Sequence, residues 1–104
     1  MRKNFRTYQL AIELYGVTLN LKLPKHLRDQ FNRAAASIVL NIAEGCGRAT
    51  AADQKRFYDI ALGSLRECQA VLDLTSSAGS PEALLADKLG AHLYKLIRYV
   101  RARP

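Results

Sequence analysis

The sequence predicts an all-α fold, an antiparallel up-down-up-down four-helix bundle, and three observations point there. Apolar residues recur at intervals of three and four in four separate segments, which places them along one face of a helix. The segments are divided by short stretches carrying Pro24, the pair Gly45 and Gly47, and Gly79 with Pro81, residue types that stop or start helices. No stretch competes with the two-residue alternation of a half-buried strand. Short connections then force consecutive helices to lie side by side and run in opposite directions.

The first helix is expected from Arg6 to Leu21, with Leu10, Leu14, Val17 and Leu21 on its core face. Pro24 breaks it, and a second helix over Lys25 to Glu44 carries Leu27, Phe31, Ala34, Ile38 and Ile42 before Gly45 and Gly47 end it. Thr50 with Asp53 three residues on forms a capping box with Asp in place of Glu. It opens a third helix that runs to Ser76 and carries Phe57, Ala61, Ser64, Cys68 and Val71. Ser77 to Pro81 is a turn in which Ser80 caps and Pro81 takes the first helical position. Leu85, Leu89, Leu93, Leu96 and Val100 follow as the last core stripe.

Composition bounds the chemistry. With 104 residues, 49% of them hydrophobic and 24% charged, residues 1–104 form one folded domain rather than a disordered chain. Sixteen Lys and Arg against nine Asp and Glu give a charge of +7, which favours polyanionic partners. Cys46 and Cys68 have no zinc-site spacing and make no disulfide framework, so both are expected as free thiols. The apolar run from Ala34 to Ala43 is about half of the roughly 20 residues a membrane span needs. Gln9, Glu13 and Asn20 interrupt any signal-peptide core. A cytoplasmic protein without membrane association is expected.

The first helix bears a second apolar stripe, Tyr8, Ile12, Tyr15 and Leu19, about 200° round from the first. One four-helix core cannot take both faces. A subunit interface covers the second stripe, or else the helix is central in the bundle or covered by chain ends. The second helix bears a polar line, Arg33, Ser37, Asn41 and Glu44. Ser and Asn are poor mid-helix residues unless their side chains find partners. The line is read as a packed polar network reaching Ser64 of the third helix, with a solvated face and a ligand site as alternatives. Gly63 beside Ser64 is read as permitting close helix approach.

The run Arg33-Ala34-Ala35-Ala36-Ser37-Ile38-Val39-Leu40-Asn41-Ile42-Ala43-Glu44-Gly45 resembles the signature of the four-helix bundle proteins encoded in 23S rRNA intervening sequences. Phe57 and Ile60-Ala61-Leu62-Gly63-Ser64-Leu65-Arg66-Glu67 resemble that family's second signature, with weaker similarity at Tyr8-Gln9, Ala11, Leu27 and Gln30. The resemblance covers about residues 5 to 75, and the fourth helix matches by pattern alone. The chain departs at Asn32, where a second Arg is usual, and at Val39, where Pro is frequent. The resemblance implies a bundle that assembles as a homopentamer, has no established enzymatic activity and is associated with RNA. The chain is similar also to the accessory variability proteins of diversity-generating retroelements, basic pentameric bundles that bind a reverse transcriptase and nucleic acid. That likeness implies a nucleic-acid-processing protein as a second kind of partner.

Catalytic patterns are missing from the sequence. It has no Gly-rich phosphate loop, no His-Glu-x-x-His and no Glu-x-x-His, so neither a metal nor a cofactor is expected. A ribonuclease needs an acid-base pair, yet His26 and His92 stand apart and neither follows an Arg at the Arg-x4-6-His spacing. A non-enzyme is expected. In an up-down-up-down bundle the chain start, the connection between helices two and three and the chain end share one pole. Arg2, Lys3, Arg6, Arg48, Lys55, Arg56, Lys95, Arg98, Arg101 and Arg103 map there, ten of the 16 basic residues, opposed mainly by Glu44 and Asp53. This pole is the expected site for RNA or DNA. The competing reading is a structural scaffold or protein-partner adaptor with no nucleic-acid role.

Overall fold

The computed structural model describes residues 5–75 and 79–104. Four helices follow one another, α1 (Phe5–Val17), α2 (Lys25–Cys46), α3 (Ala51–Thr75) and α4 (Pro81–Arg101), and among the described residues there is no strand. The fold is an all-α four-helix bundle. α2 packs on α3, α3 on α4, and α1 touches both α2 and α4. Leu10 and Leu14 of α1, Phe31, Ile38 and Ile42 of α2, Tyr58 and Leu65 of α3, and Leu89 and Leu93 of α4 are fully buried in one cluster. Burial of a side chain of this size contributes about 1.5–3 kcal/mol, so this cluster is the main source of stability.

Local chemistry sets the helix ends. Ser80 Oγ accepts from the Ala83 N–H at 3.2 Å with Pro81 at the first position of α4, an arrangement that satisfies one of the free amides of a helix start. Thr50 Oγ1 accepts from the Asp53 N–H at 3.1 Å. The Asp53 carboxylate turns instead to Arg56 at 3.6 Å, so only half of the capping box forms. Gly79 adopts φ +83°, the left-handed conformation that glycine takes without strain. Ser76, the expected end of α3, and Ser77 and Ala78 of the turn lie outside the described residues.

Four expectations are corrected. α1 ends at Val17 rather than Leu21. Thr18, Leu19 and Asn20 each donate to the carbonyl three residues back, and Thr18 Oγ1 bonds the Tyr15 carbonyl at 2.7 Å, which tightens the last turn and ends the α-helix. Gly45 does not stop α2 but lies buried within it. A Cβ there would stand 2.5 Å from Tyr58 Cε1 and 2.9 Å from Cδ1, so the missing side chain of Gly45 makes room for the Tyr58 ring of α3. Gly63, read as serving that purpose, faces open space. The core phase of α3 shifts accordingly, with Tyr58 fully buried and Phe57 only half-buried.

The expected polar line divides. Ser37 Oγ and Ser64 Oγ share a hydrogen bond of 2.8 Å across α2 and α3, and Asn41 Nδ2 donates to the Ser37 carbonyl at 2.8 Å and to Ser37 Oγ at 3.1 Å. All three side chains are half-buried. Arg33 and Glu44 are exposed, and Glu44 pairs with Arg48 at 3.6 Å instead of joining the network. Helical geometry accounts for this: at about 100° per residue Glu44 returns to within about 20° of Arg33, whereas Ser37 and Asn41 lie about 40° and 80° round toward the buried face of α2, so the two charged residues stand farthest from the core. Ser37→Ala and Ser64→Ala should each cost about 1 kcal/mol. Because one hydrogen bond is shared, the double variant should lose less than the sum in urea denaturation. Fully additive losses would mean the two hydroxyls act independently.

Candidate nucleic-acid interface

The basic residues fall into two groups that differ in what faces them. Arg6 pairs with Glu13 at 3.6 Å, Arg48 with Glu44 at 3.6 Å, Lys55 with Asp59 at 2.6 Å and Arg56 with Asp53 at 3.6 Å. The Arg48 and Arg56 guanidiniums also stand over the Phe57 ring, 4.6 and 4.4 Å from its centroid. These four cations are largely answered within the fold. Lys95, Arg98, Arg101 and Arg103 are exposed, and among the described residues no carboxylate forms a salt bridge with any of them. Arg103 donates to Gln54 Oε1, and Arg98 lies 6.0 Å from the Tyr94 ring. Arg2 and Lys3 lie outside the described residues.

The tertiary structure joins segments distant in sequence around these cations. Thr50, Ala51, Ala52 and Lys55 line one groove of about 420 Å³ together with Val100, Arg101, Arg103 and Pro104. Thr7 of α1 faces His92, Lys95, Leu96 and Tyr99 of α4 across a cleft of about 340 Å³. Partial burial, and then the charges of Arg6, Lys95 and Lys88, hold the His92 imidazole below its usual pKa. Both sets of contacts place positive charge along α4. From Lys88 to Pro104 the chain carries five Lys or Arg and no Asp or Glu.

The family model described as 23S rRNA-intervening sequence protein matches residues 4–102. The chain belongs to that family. The match takes in α4, which carries Lys95, Arg98 and Arg101 and which resembled the family by pattern alone. No curated protein matches the chain.

The fold leaves a second surface open. Ile12 is 46% exposed, Tyr15 42%, Leu19 80% and Leu40 of α2 66%, whereas Tyr8 is half-buried against the core. Ile12, Tyr15, Ala36, Val39 and Leu40 line an apolar groove of about 210 Å³ between α1 and α2. The expected stripe therefore loses Tyr8 to the core and extends onto α2. Ala36, Val39 and Leu40 form a second apolar line on α2, beside its core stripe and outside the expected interface. Its spacing of three and one, continued by Ala43, is present in the sequence.

The buried Cys68 thiol offers no reactive site. Burial, assisted by Glu67, pushes the Cys68 thiol up to about 12, so at neutral pH it stays protonated and unreactive. Cys46 Sγ accepts from Tyr58 OH at 3.6 Å. Among the described residues no three His, Cys, Asp or Glu side chains group as metal ligands, and no helix is long and apolar enough to cross a membrane.

Proposed function

We propose that this family member is a non-catalytic, self-assembling helical bundle that associates with RNA through the exposed basic side of α4. The observation that carries the reading is the run of cations from Lys88 to Arg103 without a carboxylate in the same stretch. Unanswered positive charge of this kind attracts a phosphate backbone and releases its counterions. The family's name, with its reference to 23S rRNA, agrees with RNA as the polyanion. The test is a salt titration of RNA binding. The logarithm of affinity should fall linearly with the logarithm of salt, by about 0.7 for each single-strand phosphate neutralised. Affinity unaffected by salt would refute the reading.

The proposal takes the helices as alternating in direction. Contacts between α2 and α3 pair Gln30 with Glu67, Ser37 with Ser64 and Gly45 with Tyr58, and those between α3 and α4 pair Gln54 with Arg103, Leu65 with Gly90 and Gln69 with Asp87. Residue numbers rise on one helix as they fall on the other, which supports an antiparallel course. Self-assembly is supported by the exposed groove of Ile12, Tyr15, Val39 and Leu40, since leaving large apolar side chains in water forgoes about 1.5–3 kcal/mol each. Ile12→Glu with Tyr15→Glu should therefore reduce the assembly to smaller species by light scattering. A double variant of unchanged mass would place the subunit contact elsewhere. A homopentamer is the assembly we propose, on the family resemblance.

The scaffold reading draws on the internal pairing of Arg6, Arg48, Lys55 and Arg56, which lowers the charge available to a polyanion. Purified protein separates the two readings. Copurifying nucleic acid, released by salt or nuclease, favours association with RNA, and a clean preparation that captures one defined protein favours the scaffold.

A further inference from the structure

α4 carries more than charge on its outer side. Tyr94 is 54% exposed and Tyr99 45%, so part of each aromatic side chain is open to solvent. Leu89, Leu93, Leu96, Ile97 and Val100 take the opposite side of the helix into the core. Five residues separate the two tyrosines, which sets them about 140° apart round the helix and about 7.5 Å along it. Arg98 and Lys95 occupy the arc between them, with Arg98 directed to the Tyr94 ring at 6.0 Å. Tyr99 forms a wall of the cleft shared with Thr7, His92 and Lys95. At about 340 Å³ this cleft lies at the small end of the range for ligand pockets, about 300 to 1,000 Å³, a size suited to one base or nucleotide.

Resting on the RNA-binding reading above, we propose that α4 is a stacking surface for single-stranded nucleic acid, in which Tyr94 and Tyr99 each take the face of an unpaired base while Lys95 and Arg98 hold the phosphates between them. Rings interleaved with cations suit unpaired strands, because every base has a π-face and the charges follow the backbone. A duplex hides those faces in its own stack. A second copy of this chain is a poor occupant, since the stretch from Lys88 onward holds five cations and no carboxylate and would repel its own image. An acidic protein would satisfy the charge but leave the rings unused.

The chain has no Trp and five Tyr, so base stacking is readable as quenching of tyrosine fluorescence. The experiment compares a thymidine homopolymer with an abasic strand of equal length and charge, using the full chain and the variants Tyr94→Ala/Tyr99→Ala and Tyr94→Phe/Tyr99→Phe. The wild type should bind the base-bearing strand more tightly than the abasic one, with quenching only by the former. The alanine pair should lose on the order of tenfold or more for the base-bearing strand, since stacking accounts for roughly 5- to 150-fold per base, and bind the abasic strand as the wild type does. The phenylalanine pair should retain binding. Equal affinity for both strands, or equal competition by polyglutamate of matched charge, would overturn the stacking proposal while leaving charge-driven association standing. Binding of neither strand at low salt would overturn both. A change of mass in the alanine pair by light scattering would assign the tyrosines to subunit contact and overturn the stacking role.

Discussion

Tyr58→Ala is expected to remove about 3–5 kcal/mol from the stability of the fold, and Gly45→Val about 3 kcal/mol. Both act on one contact. The Tyr58 ring is fully buried and lies where a Cβ on Gly45 would stand, 2.5 Å from Cε1. A ring enclosed by the core cannot swing aside as an exposed side chain would, so any added carbon forces the two longest helices apart. Against a total stability of about 5–15 kcal/mol for a domain, either change takes a large share. At a fixed protomer concentration, each kcal/mol should lower Tm by roughly 4–8 °C. The contact itself is tested by Gly45→Ala in two backgrounds. With Tyr58 present the clash should outweigh the gain of about 1 kcal/mol in helix propensity. With Tyr58→Leu the clash is relieved, and the same substitution should stabilise. If Gly45→Ala has the same effect in both backgrounds, the glycine is not there to admit the ring.

Charge reversal on α4 should have the largest effect on RNA affinity. Arg98→Glu with Arg101→Glu is expected to weaken binding on the order of a hundredfold at low salt and to reduce the salt slope by about 0.7 per cation removed. Both side chains are exposed, and among the described residues neither forms a salt bridge, so the substitutions disturb no core packing; placing acidic groups in the last turn of α4 should cost about 0.3–1 kcal/mol each through the helix dipole. Lys55→Ala with Arg56→Ala serves as the comparison. Those cations already face Asp59 at 2.6 Å and Asp53 at 3.6 Å, which makes them poorer phosphate ligands. Their loss should weaken binding less than loss of Arg98 and Arg101 to alanine. If the two alanine pairs weaken binding equally, net charge alone governs association and the orientation of α4 has no part in it.

The division between paired and unpaired cations was partly visible in the sequence. Arg48 with Glu44 and Lys55 with Asp59 are spaced four apart, and Arg56 with Asp53 three apart, intervals at which helix side chains meet. Asp59 and Glu13 belong with Glu44 and Asp53 as the acidic partners of the paired cations. The exposed apolar line on α2 was equally readable from spacing. The tyrosines of α4 were not, because Tyr94 and Tyr99 sit at the borders of the core stripe, where periodicity alone does not say whether a ring turns inward or out.

By itself the sequence determined what depends on near neighbours: four helices, their caps at Thr50 and Ser80, the turn through Gly79, the leucine face of α4 and the presence of a second apolar stripe on α1. These follow from backbone hydrogen bonding, glycine's freedom at positive φ and the 3.6-residue repeat, all of which act within a few residues. Only the tertiary structure decided that Tyr58 rather than Phe57 enters the core, that Gly45 rather than Gly63 admits a neighbouring helix, that Ser37 meets Ser64, and that Thr7 closes a cleft against His92 and Tyr99. Each of these is a meeting of residues 13 or more positions apart. Which of two adjacent aromatic rings is buried depends on the space left by a facing helix, and that space exists only once the helices have packed.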